Sequence, residues 1–261
     1  MGDHDTWYTL LPFWHDLEAS FAEGLARDWQ FMMFQDTHFT LVHVVGALIA
    51  ATIVIVAALR YRAFIASDPH KGAVPPNRFT LAAMTDGFVG AVYKLASDVM
   101  GEEDAKRYLP FVGTLGLFIF CCNIQGLIPG FLPPTDTLKT NLALAGIVFV
   151  TYFAIGIVRN PKHFLGEFLG PKIAGLPLMA PLFILLETAS HLARPLSLSL
   201  RLMGNMLGDH KVVLAIGSLV ALLAPVPFLL LGVLVAIVQT LIFTLLSTIY
   251  IGLALHHAEG H

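Results

Sequence analysis

The sequence is poor in charge and nearly free of cysteine. Only 13% of its 261 residues are Asp, Glu, Lys or Arg and 56% are hydrophobic, whereas soluble domains usually carry about 25% charged residues. Together with a mean hydropathy of +0.75, this composition predicts an integral membrane protein without a separate soluble domain. The two cysteines, Cys121 and Cys122, are neighbours in an apolar run, which favours packing over a disulfide or a metal site.

Several motifs are absent as well. The net charge is −3, and the basic residues form no stripe, which excludes an electrostatic site for nucleic acid. Because neither G-x-x-x-x-G-K-[ST] nor H-E-x-x-H occurs, we expect no nucleotide site, no cofactor and no metal in this chain. The first residues lack the basic and apolar regions of a cleavable signal, so targeting is expected to use the first membrane helix.

An acidic leader precedes the first apolar run. Residues 1–38 contain seven acidic residues and one basic residue, Arg27. Residues 39–59 then supply about the 20 apolar residues that a hydrocarbon core near 30 Å requires. Basic residues follow at once, and the positive-inside rule therefore predicts that this end lies in the cytoplasm and the N-terminus outside.

The remaining chain predicts one interfacial helix and four further spans. Charges interrupt the apolar face of 78–107, so this segment is expected to be an amphipathic helix at the cytoplasmic surface. Apolar runs predict the spans, which are 109–128, 141–158, 177–208 and 228–255. The expected fold is an all-α membrane protein with about five transmembrane helices in a single membrane domain, 39–261, and a cytoplasmic C-terminus.

The last two predicted spans are long. A helix over 177–208 would measure about 48 Å, which exceeds the roughly 30 Å of hydrocarbon, and Pro195 within it can be tolerated as a kink. We therefore expect the last two spans to form a strongly tilted hairpin. The alternative is two upright spans with a hydrated break near 209–211.

Arg201 is the most informative residue, because it lies in otherwise apolar sequence. A charge at the centre of a membrane helix costs about 2.5 to 3.5 kcal/mol on insertion scales. Glu187 and Asp209 lie about 21 and 12 Å away along a helix, too far for a permanent pair. A guanidinium stays protonated and acts as a barrier and counter-ion, whereas Glu187 and His210, on opposite sides of it, can exchange protons. This layout predicts two offset proton wires separated by a fixed positive charge, with a mobile carrier between them.

Further polar residues accompany Arg201. Glu187, Arg194, Arg201 and Asn205 share one stripe of a straight helix. The polar residues of the last span are Gln239, Thr240, Thr244, Ser247, Thr248 and Tyr250. Residues of this kind usually face the bundle interior or a water-filled cavity, although each alone could simply join neighbouring helices by a hydrogen bond.

These residues form a recognisable pattern. The segment SLSLRLMGNM, the upstream Glu-x-x-Ser and the C-terminal QTLIFTLLSTIYI closely resemble subunit a of the F-type rotary ATP synthase, and the resemblance covers nearly the whole chain except the leader. It implies that Arg201 faces the essential carboxylate of a rotating ring of c subunits. It also implies a bacterial inner-membrane location, with b subunits of the peripheral stalk and lipid as further partners.

The resemblance further implies a path for protons. Glu187 and Ser190 belong to a cytoplasmic half-channel and His210 to an outer one, while Asn205 and Gln239 line the site near the arginine and Asn123 borders the outer entrance. The expected pathway residues are Glu187, Ser190, Asn205, Asp209, His210, Gln239, Asn123 and Tyr250.

One position departs from the family pattern. Some members pair the residue at position 210 with an ionisable residue at a position that is Gly232 here. Asp209 or Lys211 could instead tune the pKa of His210. The sequence leaves open whether the transported ion is H⁺ or Na⁺.

Two other classes of membrane protein compete with the assignment to this family. A bis-histidine haem or quinone protein would use His43, His191 and His210, and a stand-alone transporter would be expected to contain inverted repeats, which we do not find.

Overall fold

The computed structural model describes residues 6–7, 9–25, 41–67, 81–128, 130–159, 161, 166, 180–219 and 225–259. These residues contain helices and no strand, which confirms the predicted all-α class. The helices are α1 Trp14–Leu25, α2 Val42–Ser67, α3 Leu81–Met100, α4 Glu102–Gln125, α5 Leu138–Arg159, α6 Ala180–Leu219 and α7 Pro225–Glu259, with a 3₁₀ turn at Pro134–Asp136 between α4 and α5.

Four of these helices are long and apolar enough to cross a membrane within the described part of the chain. The segments are Val42–Ala63, Glu102–Gln125, Leu138–Arg159 and Pro227–Leu255. They overlap four of the five predicted spans. The remaining span, 177–208, corresponds to α6, whose apolar surface is interrupted by Glu187, Arg194 and Arg201, so its passage through the membrane stays a prediction. Helix α6 continues through Pro195 and through 209–211, where the alternative prediction placed a break.

The helix predicted over 78–107 is divided in the structure. Helix α3 ends at Met100, and Gly101 adopts a φ of 82°, a left-handed conformation that favours glycine. Glu102, Glu103 and Asp104 then form the first turn of α4, where negative charge is favourable at a helix N-terminus. The acidic cluster therefore begins the second span instead of ending an interfacial helix.

The central core lies where α4, α5, α6 and α7 meet. Helix α6 contributes Leu198, Leu202 and Met206, which follow one another at a spacing of four and therefore lie on one face. They pack with side chains from the other three helices, which are Leu115, Ile119, Leu144, Ala145, Val148 and Phe243. This packing determines which face of α6 points away from the core.

A second cluster attaches α3 to the bundle. Val92, Ala96 and Met100 of α3 are buried against residues of α4, α5 and α7. Nearby, the Arg159 guanidinium lies 3.1 Å from the Asp104 carboxylate. This ion pair joins the start of α4 to the end of α5, so the two helices are antiparallel.

The leader packs against the connection between α4 and α5. The backbone N–H of Trp7 donates to the Gly130 carbonyl at 3.1 Å. The Glu18 carboxylate accepts from the backbone N–H of Leu41 at 2.9 Å, and Trp14 is buried with Leu41, Val42 and Leu132. Part of the acidic leader therefore covers the start of α2.

Two glycines of α4 allow a test of this packing. A Cβ on Gly116 would lie 2.7 Å from Thr244 Oγ1 and 3.2 Å from Phe88 Cζ, whereas a Cβ on Gly113 would meet nothing within 4 Å. We expect Gly116→Ala to lower stability by about 1 to 3 kcal/mol through overpacking. Gly113→Ala should be neutral or stabilise by up to about 1 kcal/mol, because alanine is the better helix former. Thermal unfolding of the detergent-solubilised protein measures both, and equal effects would contradict the close approach of α4 to α7.

Candidate functional site

Arg201 lies on the exposed face of α6. Its neighbours at i+4 and i+7, Asn205 and Gly208, are exposed on the same side of the helix. Among the residues whose side chains the structure describes, which exclude Asp209 and His210, Arg201 has no hydrogen-bond or ion-pair partner. The predicted absence of a permanent pair with Glu187 therefore agrees with the geometry.

A cavity lies between α6 and α7, beginning three residues after Arg201 along α6. It has a volume of about 380 Å³ and is lined by Gly204, Asn205, Gly208, Leu234, Val235, Val238 and Gln239. Gln239 is only 6% exposed, so its amide is one of the few polar groups inside this space. Asn205, which lies one turn from Arg201 on α6, and Gln239 therefore line the same space, while the roles predicted for these three residues stay predictions.

Apolar side chains surround this site on the outer surface of the helix pair. Leu200 and Leu207 of α6 are exposed on either side of Arg201. On α7 the exposed apolar residues near the cavity are Leu234, Ile237, Val238 and Leu241. Exposed apolar side chains in such number are typical of a surface that contacts lipid or another protein.

A second group of polar residues surrounds Glu187. The Glu187 carboxylate lies 3.2 Å from Nε2 of His191, and the Tyr152 hydroxyl contacts Nδ1 of the same ring. Arg194 lies over the rings of Tyr152 and Tyr250, with 5.9 and 5.6 Å between its Cζ atom and the two ring centroids, within the range of cation–π attraction. Glu187 and Tyr250 therefore belong to one group, which we name the Tyr152 cluster, whereas Ser190 is exposed beside it.

Asn123 belongs to a third group, at the 3₁₀ turn. Its Oδ1 accepts a hydrogen bond of 2.8 Å from the Thr135 hydroxyl, and Asn141 Nδ2 donates to the Thr135 carbonyl at 2.7 Å. Asn123 also lines a small cavity that extends to Met206 and Gly232. Asn123 is therefore buried beside the 3₁₀ turn, and its predicted place at the outer entrance stays a prediction.

The departure at Gly232 has a structural counterpart. A Cβ at this position would lie 2.6 Å from Cδ2 of Leu127, so a larger side chain requires Leu127 to move. The side chains of Asp209 and His210 lie outside the described residues. Their predicted places in the pathway, and the identity of the partner of His210, stay predictions.

Comparison with known proteins identifies the family. A model of the family described as ATP synthase A chain matches residues 44–252. The chain is 41% identical to ATP synthase subunit a of Sorangium cellulosum over 192 residues, 74% of each chain, and 40% identical to that of Geobacter sulfurreducens over 211 residues, 81% of this chain and 88% of the relative. It is also 46% identical to ATP synthase subunit a 1 of Syntrophotalea carbinolica over 166 residues, which are 64% and 69% of the two chains.

The chain belongs to the ATP synthase A chain family. This confirms the resemblance noted from the sequence, and with it the expected association with ATP synthesis, ion transport and transmembrane helices.

Membership in the ATP synthase family also argues against the alternative of a bis-histidine haem protein. Both ring nitrogens of His191 face oxygens of Tyr152 and Glu187, so iron ligation by His191 would disrupt the Tyr152 cluster.

Several residues at these sites were not predicted from the sequence. Tyr152 occurs within an apolar span, 39 positions before His191, and no spacing rule connects the two. Thr135 and Asp136 belong to the turn-rich connection between the spans 109–128 and 141–158, and Asn141 is the first residue of the second of these spans. The burial of Asn141 could have been suspected from its sequence position, because it is a polar residue near the start of an apolar span.

Removal of one hydroxyl tests the Tyr152 cluster. Tyr152 and His191 are 2% and 4% exposed, so Tyr152→Phe should leave a buried imidazole nitrogen without this partner and lower stability by about 1 to 3 kcal/mol. Tyr93→Phe on α3, where Tyr93 is only half-buried, is the matched control and should have little effect. Thermal unfolding compares the two variants, and an unchanged midpoint in Tyr152→Phe would contradict the contact.

Proposed function

We propose that this chain is the stator subunit of a rotary F-type ATP synthase and passes protons to and from the carboxylates of a rotating c-ring. Two offset half-channels separated by Arg201 would carry the protons. One observation carries this proposal. A permanently charged side chain lies on an exposed face of α6, one turn from a cavity that Asn205 and Gln239 line, with no counter-ion among the described residues of its own chain.

The identity of the charged residue supports a barrier. Arginine does not lose its proton at accessible pH, so it cannot relay protons from one half-channel to the other. A proton that enters on one side must therefore leave on a carrier. The c-ring carboxylate is the carrier, because it binds the proton covalently and moves with the ring.

The energetics of that carboxylate provide the coupling. Facing lipid, it must be protonated, because an isolated charge in an apolar medium is heavily penalised. Beside Arg201 the ionised form is favoured by the opposite charge. Rotation past Arg201 therefore forces proton release on one side and uptake on the other, and each proton that crosses about 100 mV supplies about 2.3 kcal/mol.

The Tyr152 cluster supports the cytoplasmic half-channel. Glu187 lies about 21 Å from Arg201 along α6 and is only partly buried, with 23% of its side chain exposed, so water can reach its carboxylate. Ser190 and Tyr250 lie near it, whereas Asn123, Asp209 and His210 belong to the opposite, outer half-channel. The orientation in the membrane follows from the basic residues. The exposed Arg62 near the end of α2 favours a cytoplasmic position for that end. The N-terminus would then lie outside and the C-terminus in the cytoplasm, with the protein in the bacterial inner membrane.

The α6–α7 surface supports the assignment of partners. Helices of 40 and 35 residues measure about 60 and 52 Å, so α6 and α7 would be strongly tilted to remain near a bilayer with about 30 Å of hydrocarbon. Their exposed apolar face around Arg201 would contact the c-ring. Lipid and the peripheral-stalk b subunits would contact the other faces.

Replacement of the arginine tests the function. We expect Arg201→Ala to abolish proton-driven ATP synthesis by the complete complex in sealed vesicles, because the ring carboxylate would lose the charge that ionises it. The control is Arg62→Ala, which removes an exposed arginine far from the cavity and should leave synthesis unchanged. Both variants are compared at equal amounts of assembled complex, and near-normal synthesis by Arg201→Ala would refute the proposal.

A further inference from the structure

A cluster of polar residues lies where the 3₁₀ turn meets α4 and α5. We name it the turn cluster, and its members are the buried Asn123, Gln125, Thr135 and Asn141 and the half-buried Asp136. Asn123, Gln125 and Asn141 are 2%, 4% and 0% exposed. Nevertheless Asn123 Nδ2, both amide atoms of Gln125, Asn141 Oδ1 and Asp136 Oδ1 have no hydrogen-bond partner among the described residues. Buried polar atoms normally have partners, so these atoms indicate bound water.

A cavity beside the cluster has room for that water. It measures about 20 Å³ and is lined by Asn123, Gly126, Leu127, Pro133, Met206, Val213 and Gly232. A cavity needs at least about 10 to 15 Å³ to hold one water molecule. Asn123 is the strongly polar side chain among the described residues that line it, and its far wall is formed by α6 and α7, the helices that carry Arg201 and Gln239.

We propose that Asp136 is a proton-binding group at the outer end of the path, from which protons pass by way of water at Thr135 and Asn123 to the α6–α7 interface. This inference rests on the proposed function. In this exchange the Asp136 carboxylate takes a proton from bulk water. The resulting carboxyl group then gives that proton to water inside the cluster and becomes a carboxylate again, so no net proton stays on Asp136.

The surroundings of Asp136 suit such exchange. Burial raises its pKa to about 7, and the Lys211 ammonium opposes part of that rise. A proton-transfer group works best when its pKa lies near the working pH. Among the described residues, Lys211 of α6 acts on Asp136, and Lys139 of α5 acts on His43 of α2. The last turn of α4 contributes the uncharged Asn123 and Gln125 with the thiols Cys121 and Cys122, and the other charged residues of these helices lie further along them.

The cavity connects the turn cluster to α7. Gly232 lines the cavity, and a Cβ at this position would lie 2.6 Å from Cδ2 of Leu127, so glycine keeps this wall open. Asn123 connects the cavity to Thr135 by a hydrogen bond, and Asp136 follows Thr135 directly. Two hydrogen-bonding side chains therefore lead from Asp136 to the cavity.

The test uses the complete complex in sealed vesicles, with the pH varied separately on the outer and cytoplasmic sides. In Asp136→Asn, we expect proton uptake from the outer side to fall at least about tenfold. This is less than the roughly 10²–10⁴-fold that positioned acid–base groups contribute, because water can carry part of the flow. The dependence on outer pH around 7 should also disappear, while the dependence on cytoplasmic pH remains.

Two further variants complete the design. Asp136→Glu keeps a carboxylic acid and should retain the dependence on outer pH with a shifted midpoint. Asp98→Asn, which makes the same change at an exposed position of α3, should behave as the unaltered complex. If Asp136→Asn assembles poorly, Asp136→Glu provides the test. A shifted midpoint in the dependence of proton uptake on outer pH supports the inference, and an unshifted midpoint overturns it.

An unchanged rate and pH profile in assembled Asp136→Asn would overturn the inference. The Arg201→Ala variant, measured in the same vesicles, separates the two proposals. If it abolishes flow while the Asp136 variants change nothing, only the role of Asp136 fails. If Arg201→Ala itself still carries normal flow, the proposed function fails.

Discussion

The structure depends on one charge that cannot be neutralised. Arg201 stays protonated at accessible pH, and it lies among exposed leucines on α6 with no ion pair among the described residues of the chain. Such a charge is costly in lipid, and this cost supports the proposal that an anionic group of the c-ring approaches Arg201. Asn205 and Gln239 line the nearby cavity and would provide polar groups for that approach.

The core of the bundle keeps the charge in its place. Leu198, Leu202 and Met206 are buried against α4, α5 and α7, so rotation of α6 about its axis would expose them and bury Arg201. On the same helix, the buried His191 ring contacts Tyr152 of α5, which further opposes rotation. A rigid orientation of this kind suits a stator, because a fixed charge stabilises an ionised partner without reorganisation at the moment of transfer. One face of α6 therefore packs in the core, while the adjoining face presents Arg201.

Much of this arrangement follows from sequence, for identifiable reasons. Apolar runs predicted the spans, because length and hydropathy are local properties, and helical spacing placed Arg201 and Asn205 on one face. The division at Gly101 was not predicted, since the amphipathic pattern continues across it and only the left-handed backbone reveals the end of α3. The contact of Tyr152 with His191 and the burial of Thr135 and Asn141 depend on packing between distant segments. Turn-forming residues such as those at 133–136 predict a change of direction, but they do not predict whether α2 and α6 will cover it.

The most direct test is a density map of the complete ATP synthase in lipid, resolved well enough to place side chains. We expect the Arg201 guanidinium to face a ring carboxylate, directly or through one water molecule, with the Asn205–Gln239 cavity hydrated on the same side. A guanidinium that faces lipid, or that is paired with a carboxylate of its own chain while the ring packs elsewhere, would contradict the account.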